Sequence, residues 1–206
     1  SQRWLGYEPA KLVGRSGFDL MHPDDAPLLL TRLRTAIQEG HTPGLMTFRS
    51  RHADGRYIFL EASAQFINND EGISGIVTVF RDVTAQRQAE EQIRLLSRAV
   101  EYSPVSIVMA DVSGKITYVN PKFTEVTGYT FEEVRGHNPR MMQSGLTPPE
   151  TYVALWQSIF AGQEWSGEFL NRRKDGRLYW ESAVISPITD AAGQISHFIA
   201  IKQDIT

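Results

Sequence analysis

Apolar positions change period several times along this chain, and each change marks an element. From residue 106, SIVMADV is a short apolar run, SGK interrupts it and ITYVN resumes it, a pattern that predicts two strands joined as a hairpin. Asn120 followed by Pro121 supplies a cap and a first-turn proline, the opening of a short helix. Thr130 with Glu133 makes a capping box for another. Thr147-Pro148-Pro149-Glu150 makes a third such start, opening an amphipathic helix through Val153, Trp156, Ile159 and Phe160 that stops at Gly162. Strands are then predicted over 165–174, 177–188 and 194–205, joined by Asp-Gly and Ala-Ala-Gly turns. The order strand–strand–helices–strand–strand–strand implies an α+β fold, an antiparallel sheet with helices on one face.

The same grammar occurs twice. Residues 49–84, RSRHADGRYIFLEASAQFINNDEGISGIVTVFRDVT, are echoed by LNRRKDGRLYWESAVISPITDAAGQISHFIAIKQDIT at 170–206, and LGYEPAKLVGRS at 5–16 by TGYTFEEVRGHN at 127–138. Gly6 and Gly128 are 122 positions apart and Asp54 and Asp175 are 121 apart, so the copies run in register. A repeat of that length is a whole domain rather than a solenoid unit. The expected organisation is a first domain over 1–83 lacking its opening hairpin, a helical linker over 84–103 and a second domain over 104–206. In the linker, Ala89, Ile93, Leu96 and Val100 recur at 4-3-4 spacing, the seam of a short coiled coil or one helix laid on its own domain.

Composition narrows the chemistry. The 206 residues are 41% hydrophobic and 22% charged, ordinary for folded protein, with a net charge of −3 that gives no general attraction to nucleic acid or anionic membrane. With no cysteine, disulfides, thiolate catalysis and Cys-ligated metals are excluded. No apolar run reaches the roughly 18–20 residues of a membrane helix. The histidines at 22, 41, 52, 137 and 197 show no metal-ligand spacing, and no Ser-His-Asp set, phosphate-binding loop or carboxylate pair suggests catalysis. The stretch GHNPRMMQSG at 136–145 is different: an amide, a cation, two thioethers and a glutamine surround Pro139. In the strand that begins at 165, Trp165, Phe169 and Asn171 share parity and therefore one face, and a buried Asn among apolar neighbours needs a partner. In the next strand Tyr179, Glu181, Ala183 and Ile185 share one face, and Trp180, Val184 and Ile188 the other, which is apolar enough to pack on a helix or a second protomer.

ITYVNPKFTEVTGYTFEEVRG, the KDGRLYW strand turn and the terminal QDIT, with LGY, LVGR, HPDD, ADGRYIFL and RDVT in the first copy, resemble the PAS family of tandem sensor domains. The resemblance covers essentially the whole chain and implies two PAS domains, each built on a five-stranded antiparallel sheet with short helices on one face. GHNPRMMQSG looks like the flavin loop of LOV photosensors, with Asn138, Arg140 and Gln143 at matching positions: there the amides bond the flavin and the arginine holds its phosphate. Pro139 stands where LOV domains have their photochemical cysteine, so a cysteinyl–flavin adduct is impossible. The Asn-Pro-Arg variant is similar to the FAD-binding PAS domains of NifL/MmoS-type redox sensors, and Trp165 and Asn171 match their ring-side aromatic and pyrimidine-edge amide. Glu181 and Lys202 depart from LOV, replacing a flavin-contacting Asn and the switching Gln, and Trp156 replaces an arginine that grips the FMN phosphate, which disfavours FMN. A cation such as Lys202 at the ring edge would favour a negatively charged ring.

The resemblance therefore implies the sensor region of a bacterial signal-transduction protein in the cytoplasm, its second domain holding FAD noncovalently and sensing redox state, oxygen or light. Helical linkers would relay the signal, through a homodimer, to an output domain such as a histidine kinase or a cyclic-dinucleotide enzyme. In the first copy Ser16, Phe18 and Ser50 stand at the positions of Asn138, Arg140 and Asn171, which marks it as a ligand-free or differently liganded relay domain. The competing readings are a dimerisation module whose pocket is empty or holds a small metabolite, and a flavoprotein oxidoreductase, for which the sequence shows no proton donor.

Overall fold

The computed structural model describes residues 5–68 and 74–206, so the stretch 69–73 of the first repeat lies outside it. Two compact units divide the chain between Ile93 and Arg94. In the first, helix α1 (Ala26–Glu39) is followed by strands β1 (Leu45–Arg51), β2 (Tyr57–Asn68) and β3 (Ser74–Asp82), an antiparallel sheet in the order β1-β2-β3. Met46, Phe48 and Ser50 alternate inward along β1 and meet Ala62, Leu60 and Ile58 across the register, and all six are buried. Leu29 of α1 closes this core. Among the described residues the sheet has three strands rather than the expected five.

Helix α2 (Thr84–Glu101) buries none of its residues. Ala89, Ile93 and Leu96 of the predicted seam are exposed and Val100 is half-buried.

The second unit contains β4 (Ser106–Asp111), β5 (Ile116–Val119), α3 (Pro121–Thr127), α4 (Phe131–Val134), a 3-10 turn at Pro139–Met142, α5 (Pro149–Phe160), β6 (Trp165–Arg172), β7 (Leu178–Thr189) and β8 (Ile195–Asp204). Its antiparallel sheet runs β5-β4-β8-β7-β6, so the opening hairpin pairs with the last strand and the helical segments cross one face. Asn120 caps α3 as predicted and does more. Its Oδ1 accepts from Phe123 N and Ile107 N, while its Nδ2 donates to the carbonyls of Val100 and Val105. One buried amide thus ties the end of α2, the start of β4 and the start of α3 together, with both its polar atoms satisfied. The capping box of Thr130 and Glu133 is formed.

The third predicted helix start is built differently. Two successive prolines move the cap of α5 to Pro148, which has no side-chain cap bond. Thr147, released from capping, accepts from Leu170 N at 2.9 Å and faces Leu170 O. Strand β6 is an edge of the sheet, and its outward backbone groups need partners. Thr147, the Ser144 hydroxyl on Leu170 O and a bridge between Gln143 and Asn171 supply them. The buried face of α5 consists of Leu155 and Ile159 flanked by Tyr152 and Trp156; Val153 and Phe160, expected on that face, are exposed.

The two units repeat each other down to single bonds. Ser16 caps the 3-10 turn at Gly17–Leu20 by accepting from Phe18 N, as Asn138 caps Pro139–Met142 by accepting from Arg140 N. The bridge between Met21 and Ser50 matches the one between Gln143 and Asn171. Ala53 N bonds Leu5 O where Lys174 N bonds Thr127 O.

Candidate functional site

The second unit encloses a pocket of about 260 Å³ between the inner face of its sheet, α5 and the 3-10 turn. Val108, Ala110, Ile185, Phe198 and Ala200 pave the sheet side, Leu155 and Ile159 the helix side. Asn138, Arg140, Gln143, Trp156, Asn171 and Lys202, six of the eight residues singled out in the sequence, also line it. Asn171 and Lys202 are buried in the sheet, Asn138 and Trp156 are half-buried, and Arg140 and Gln143 are exposed. The volume falls just below the roughly 300–1,000 Å³ common for small-molecule sites.

The other two residues stand one layer back. Glu181 does not line the cavity; it is 2% exposed and anchors the groups that do. Lys202 Nζ donates to its Oε1 at 2.7 Å, Asn171 Nδ2 to the same oxygen at 3.1 Å and Tyr179 Oη to Oε2 at 3.1 Å. Burial, and next the negative charge of Glu181, push the Tyr179 phenol well above its ordinary value, so it stays protonated and remains a donor. Arg173 lies 4.4 Å above the Tyr179 ring and pairs with Asp204. Trp165 is likewise behind the wall: it stacks on Phe169 with centroids 5.0 Å apart, and Phe169 faces the cavity.

The polar lining comes from local rules. Asn138 holds the 3-10 turn by a bond from Arg140 N at 3.0 Å, which presents Arg140 and Pro139 to the pocket mouth. Across the mouth, Gly114 turns the β4–β5 hairpin at φ +77°, and a Cβ there would stand 2.7 Å from Asn138 Nδ2 and 3.3 Å from Trp156. Met142 is buried in the core beside Val108 and Phe123, and Met141 is exposed; neither thioether lines the pocket.

Tyr152 was not singled out by its sequence. It lines the pocket, its ring lies parallel to Phe169 at 5.5 Å, and its hydroxyl is buried without a hydrogen-bond partner. Its spacing of four from Trp156 on α5 is the signal that could have found it.

In the first unit the three buried polar positions become Ser50, Leu60 and Phe80. Register fixes this equivalence: Leu60 pairs with Asp82 as Glu181 pairs with Asp204, and Phe80 with Ala62 as Lys202 with Ala183. Its cavity is lined mainly by apolar groups including Leu20, Phe48 and Leu60. Among the described residues no His, Cys, Asp and Glu group could hold a metal.

Two family models match the chain: one described as a PAS domain over residues 104–206 and one described as a PAS fold over 1–80. The nitrogen fixation regulatory protein of Klebsiella pneumoniae is 36% identical over 107 residues, covering 52% of this chain and 22% of that protein. The bacterioopsin transcriptional activator of Halobacterium salinarum is 32% identical over 120 residues, 57% of this chain and 18% of that protein. The blue-light-activated histidine kinase of Brucella ovis is 31% identical over 111 residues, 52% of this chain and 23% of that protein. The chain therefore spans about a fifth of the length of these relatives. Among solved structures, an RNA-binding light-oxygen-voltage receptor superposes over all of this chain and 90% of its own with a TM-score of 0.53 at 17% identity, a likeness of fold alone. A light-oxygen-voltage domain studied with a flavin analogue covers 54% of this chain and 85% of its own, with a TM-score of 0.50 at 26% identity. No helix among the described residues is long and apolar enough to cross a membrane. With both family models matching and the repeated sheet-and-helix fold in place, the chain belongs to the PAS family.

Proposed function

We propose that this chain is the sensor region of a bacterial signalling protein whose second PAS domain binds a flavin, FAD in preference to FMN, without a covalent bond. The observation that carries the reading is the pair of buried polar groups in the pocket wall, Asn171 and Lys202, both bonded to Glu181 and set beside the apolar paving of sheet and helix. A flavin presents that combination, an apolar ring system with one polar edge. Asn171, held by Glu181 on one side and the Gln143 bridge on the other, would hold that edge. Lys202 would place a positive charge beside it, and Arg140 at the exposed mouth would meet a phosphate. Gly114 keeps the mouth free of a Cβ.

When bound, a flavin supplies reversible electron acceptance and blue-light absorption. The chain's own part is to read the resulting change of charge through Lys202, Glu181 and Tyr179. Asn120, which joins the start of β4 to the end of α2, offers a route toward the helical linker. The exposed seam of α2 suits pairing with a second copy, and the similarity to a histidine kinase supports a kinase as output. The first domain, with Ser50, Leu60 and Phe80 in place of the polar trio, is read as a relay that binds no flavin.

Purified protein tests the reading. A yellow preparation with the two-banded flavin absorption supports it, and chromatography of the heat-released chromophore separates FAD from FMN. A folded, colourless domain that refuses added FAD overturns it and favours an empty or metabolite-binding pocket.

A further inference from the structure

Glu181 and Asp204 are direct cross-strand partners of β7 and β8. Both carboxylates stand on the inner face of the sheet, since Glu181 shares parity with Tyr179 and Asp204 with Lys202. Direct partners hold their Cβ atoms about 4.5–5.5 Å apart, and like charges so placed repel. Each carboxylate is answered by its own cation: Lys202 bonds Glu181 at 2.7 Å, and Arg173 pairs with Asp204. The two pairs are unequal in depth. Lys202 and Glu181 are 7% and 2% exposed, Arg173 and Asp204 23% and 28%.

Tyr179 joins the pairs. Its hydroxyl donates to Glu181 at 3.1 Å, and the Arg173 guanidinium lies 4.4 Å from its ring centre. Arg173 also donates to Val126 O in α3, which keeps it at this junction. Lys202, Arg173 and Asp204 line one cleft of about 350 Å³, so Asp204 has access to water. Asp204 in turn ties down the residues after β8. Its Oδ1 accepts from Thr206 N at 3.1 Å, Thr206 Oγ1 accepts from Trp180 N at 3.0 Å, and Ile205 N donates to Trp180 O at 3.0 Å.

We infer that Arg173 is a shared cation: when Lys202 is drawn off Glu181, Arg173 leaves Asp204 for Glu181 and releases the segment after β8. Burial sets the direction. A charge stranded at Glu181 is sealed from water, whereas Asp204 keeps the cleft, so one remaining cation lowers the free energy more at the buried carboxylate. While Lys202 stays in place, Glu181 is satisfied and Arg173 keeps Asp204. The network thus has two discrete arrangements, which is what coupling between distant points requires. Arg173 does not line the ligand pocket and acts as a positioning residue. A negative charge gained by a ligand beside Lys202 is the trigger; that trigger rests on the flavin reading above, but the exchange of cations does not.

The test uses the whole chain with no flavin added. Amide exchange at Trp180 and Ile205 is compared in wild type, in Lys202→Met and in Lys202→Met with Glu181→Gln. The expected result is exchange roughly ten- to a hundredfold faster in Lys202→Met, the effect of losing one charge-assisted hydrogen bond. The double variant should return to the wild-type rate, because no stranded charge recruits Arg173. Unchanged exchange in Lys202→Met overturns the inference. Equal acceleration in the single and double variants overturns it as well, since the lost packing of the lysine stem would then be the cause. So does acceleration spread evenly over β4 to β8, which is a general loss of stability. Should Lys202→Met fail to fold, Lys202→Gln replaces it and Arg173→Gln is added to wild type and to Lys202→Gln in urea melts. Arg173→Gln should raise the unfolding constant roughly threefold more in the Lys202→Gln background than in wild type. Equal increases in the two backgrounds overturn the exchange. Flavin binding itself is decided separately, by titrating the wild type with FAD.

Discussion

Lys202 and Glu181 form a 2.7 Å ion pair on adjacent strands, with side chains 7% and 2% exposed. They stand two residues apart in register, and so on the same face of the sheet, since Lys202 pairs with Ala183 and Glu181 with Asp204. A pair so deep is costly to desolvate and tolerable only because Asn171 and Tyr179 complete the shell of the carboxylate.

Breaking that pair from one side should be severe. Lys202→Met leaves a buried carboxylate without its cation and is expected to cost about 3–5 kcal/mol of unfolding free energy. Replacing both partners, as Lys202→Met with Glu181→Leu, should recover most of it. Urea melts of the single and double variants measure the difference. Equal losses in both would show that the pair itself, not the stranded charge, is what matters.

Tyr179 carries a pH signature. Its folded pKa is raised, so the neutral phenol is favoured in the folded protein; that stability is intact below the unfolded value near 10 and declines as pH rises beyond it. Tyr179→Phe should flatten the loss of stability above about pH 10 relative to wild type. Denaturation midpoints at pH 8, 10 and 11 give the comparison.

At the other limb, Asp25 is held below its ordinary value chiefly by the bond from the Arg49 side chain, then against burial, which raises it. The sign is opposite: its contribution is present above the unfolded value and fades as pH falls through the folded one. Asp25→Asn should make the first unit less sensitive to pH below about 4. Amide exchange in residues 45–63 as the pH is lowered reports on that unit.

Removal of Asn120 should loosen the join between linker and domain. Asn120→Ala strips partners from Ile107 N and from the carbonyls of Val100 and Val105, and one or two buried groups left unpaired predict a loss of roughly 2–3 kcal/mol. Faster amide exchange over residues 98–107, with β6 and β7 unaffected, is the expected pattern.

Gly114→Ala adds a methyl group at a positive φ and into contact with Asn138 and Trp156. The variant should lose roughly 1–2 kcal/mol from backbone strain. Flavin affinity should fall with it if the mouth is where the ligand enters, as titration would show.

Much of this molecule is legible in its residues taken locally. Asn120 with Pro121, and Thr130 with Glu133, act within four residues of chain, and both form what their spacing predicts. Strand parity likewise places Trp165, Phe169 and Asn171 inward without knowledge of what lies opposite. The repeat, visible as two echoing stretches, extends to shared caps and bridges because the same turn chemistry recurs at both sites.

What needed the tertiary structure is everything set by neighbours distant in sequence. Thr147 looked like a cap, but the free edge of β6 competes for its hydroxyl and the two prolines leave it available. Which residues of α5 are buried depends on where the sheet lies, so Tyr152 and Leu155 face inward while Val153 and Phe160 meet solvent. Glu181, Lys202 and Asn171 come from three strands and are joined only by the register of the sheet. Residue identity alone determined the caps, turns, strand parity and the repeat; the depth of each group behind the pocket wall was decided by packing, because burial is a property of the space between elements and not of any one of them.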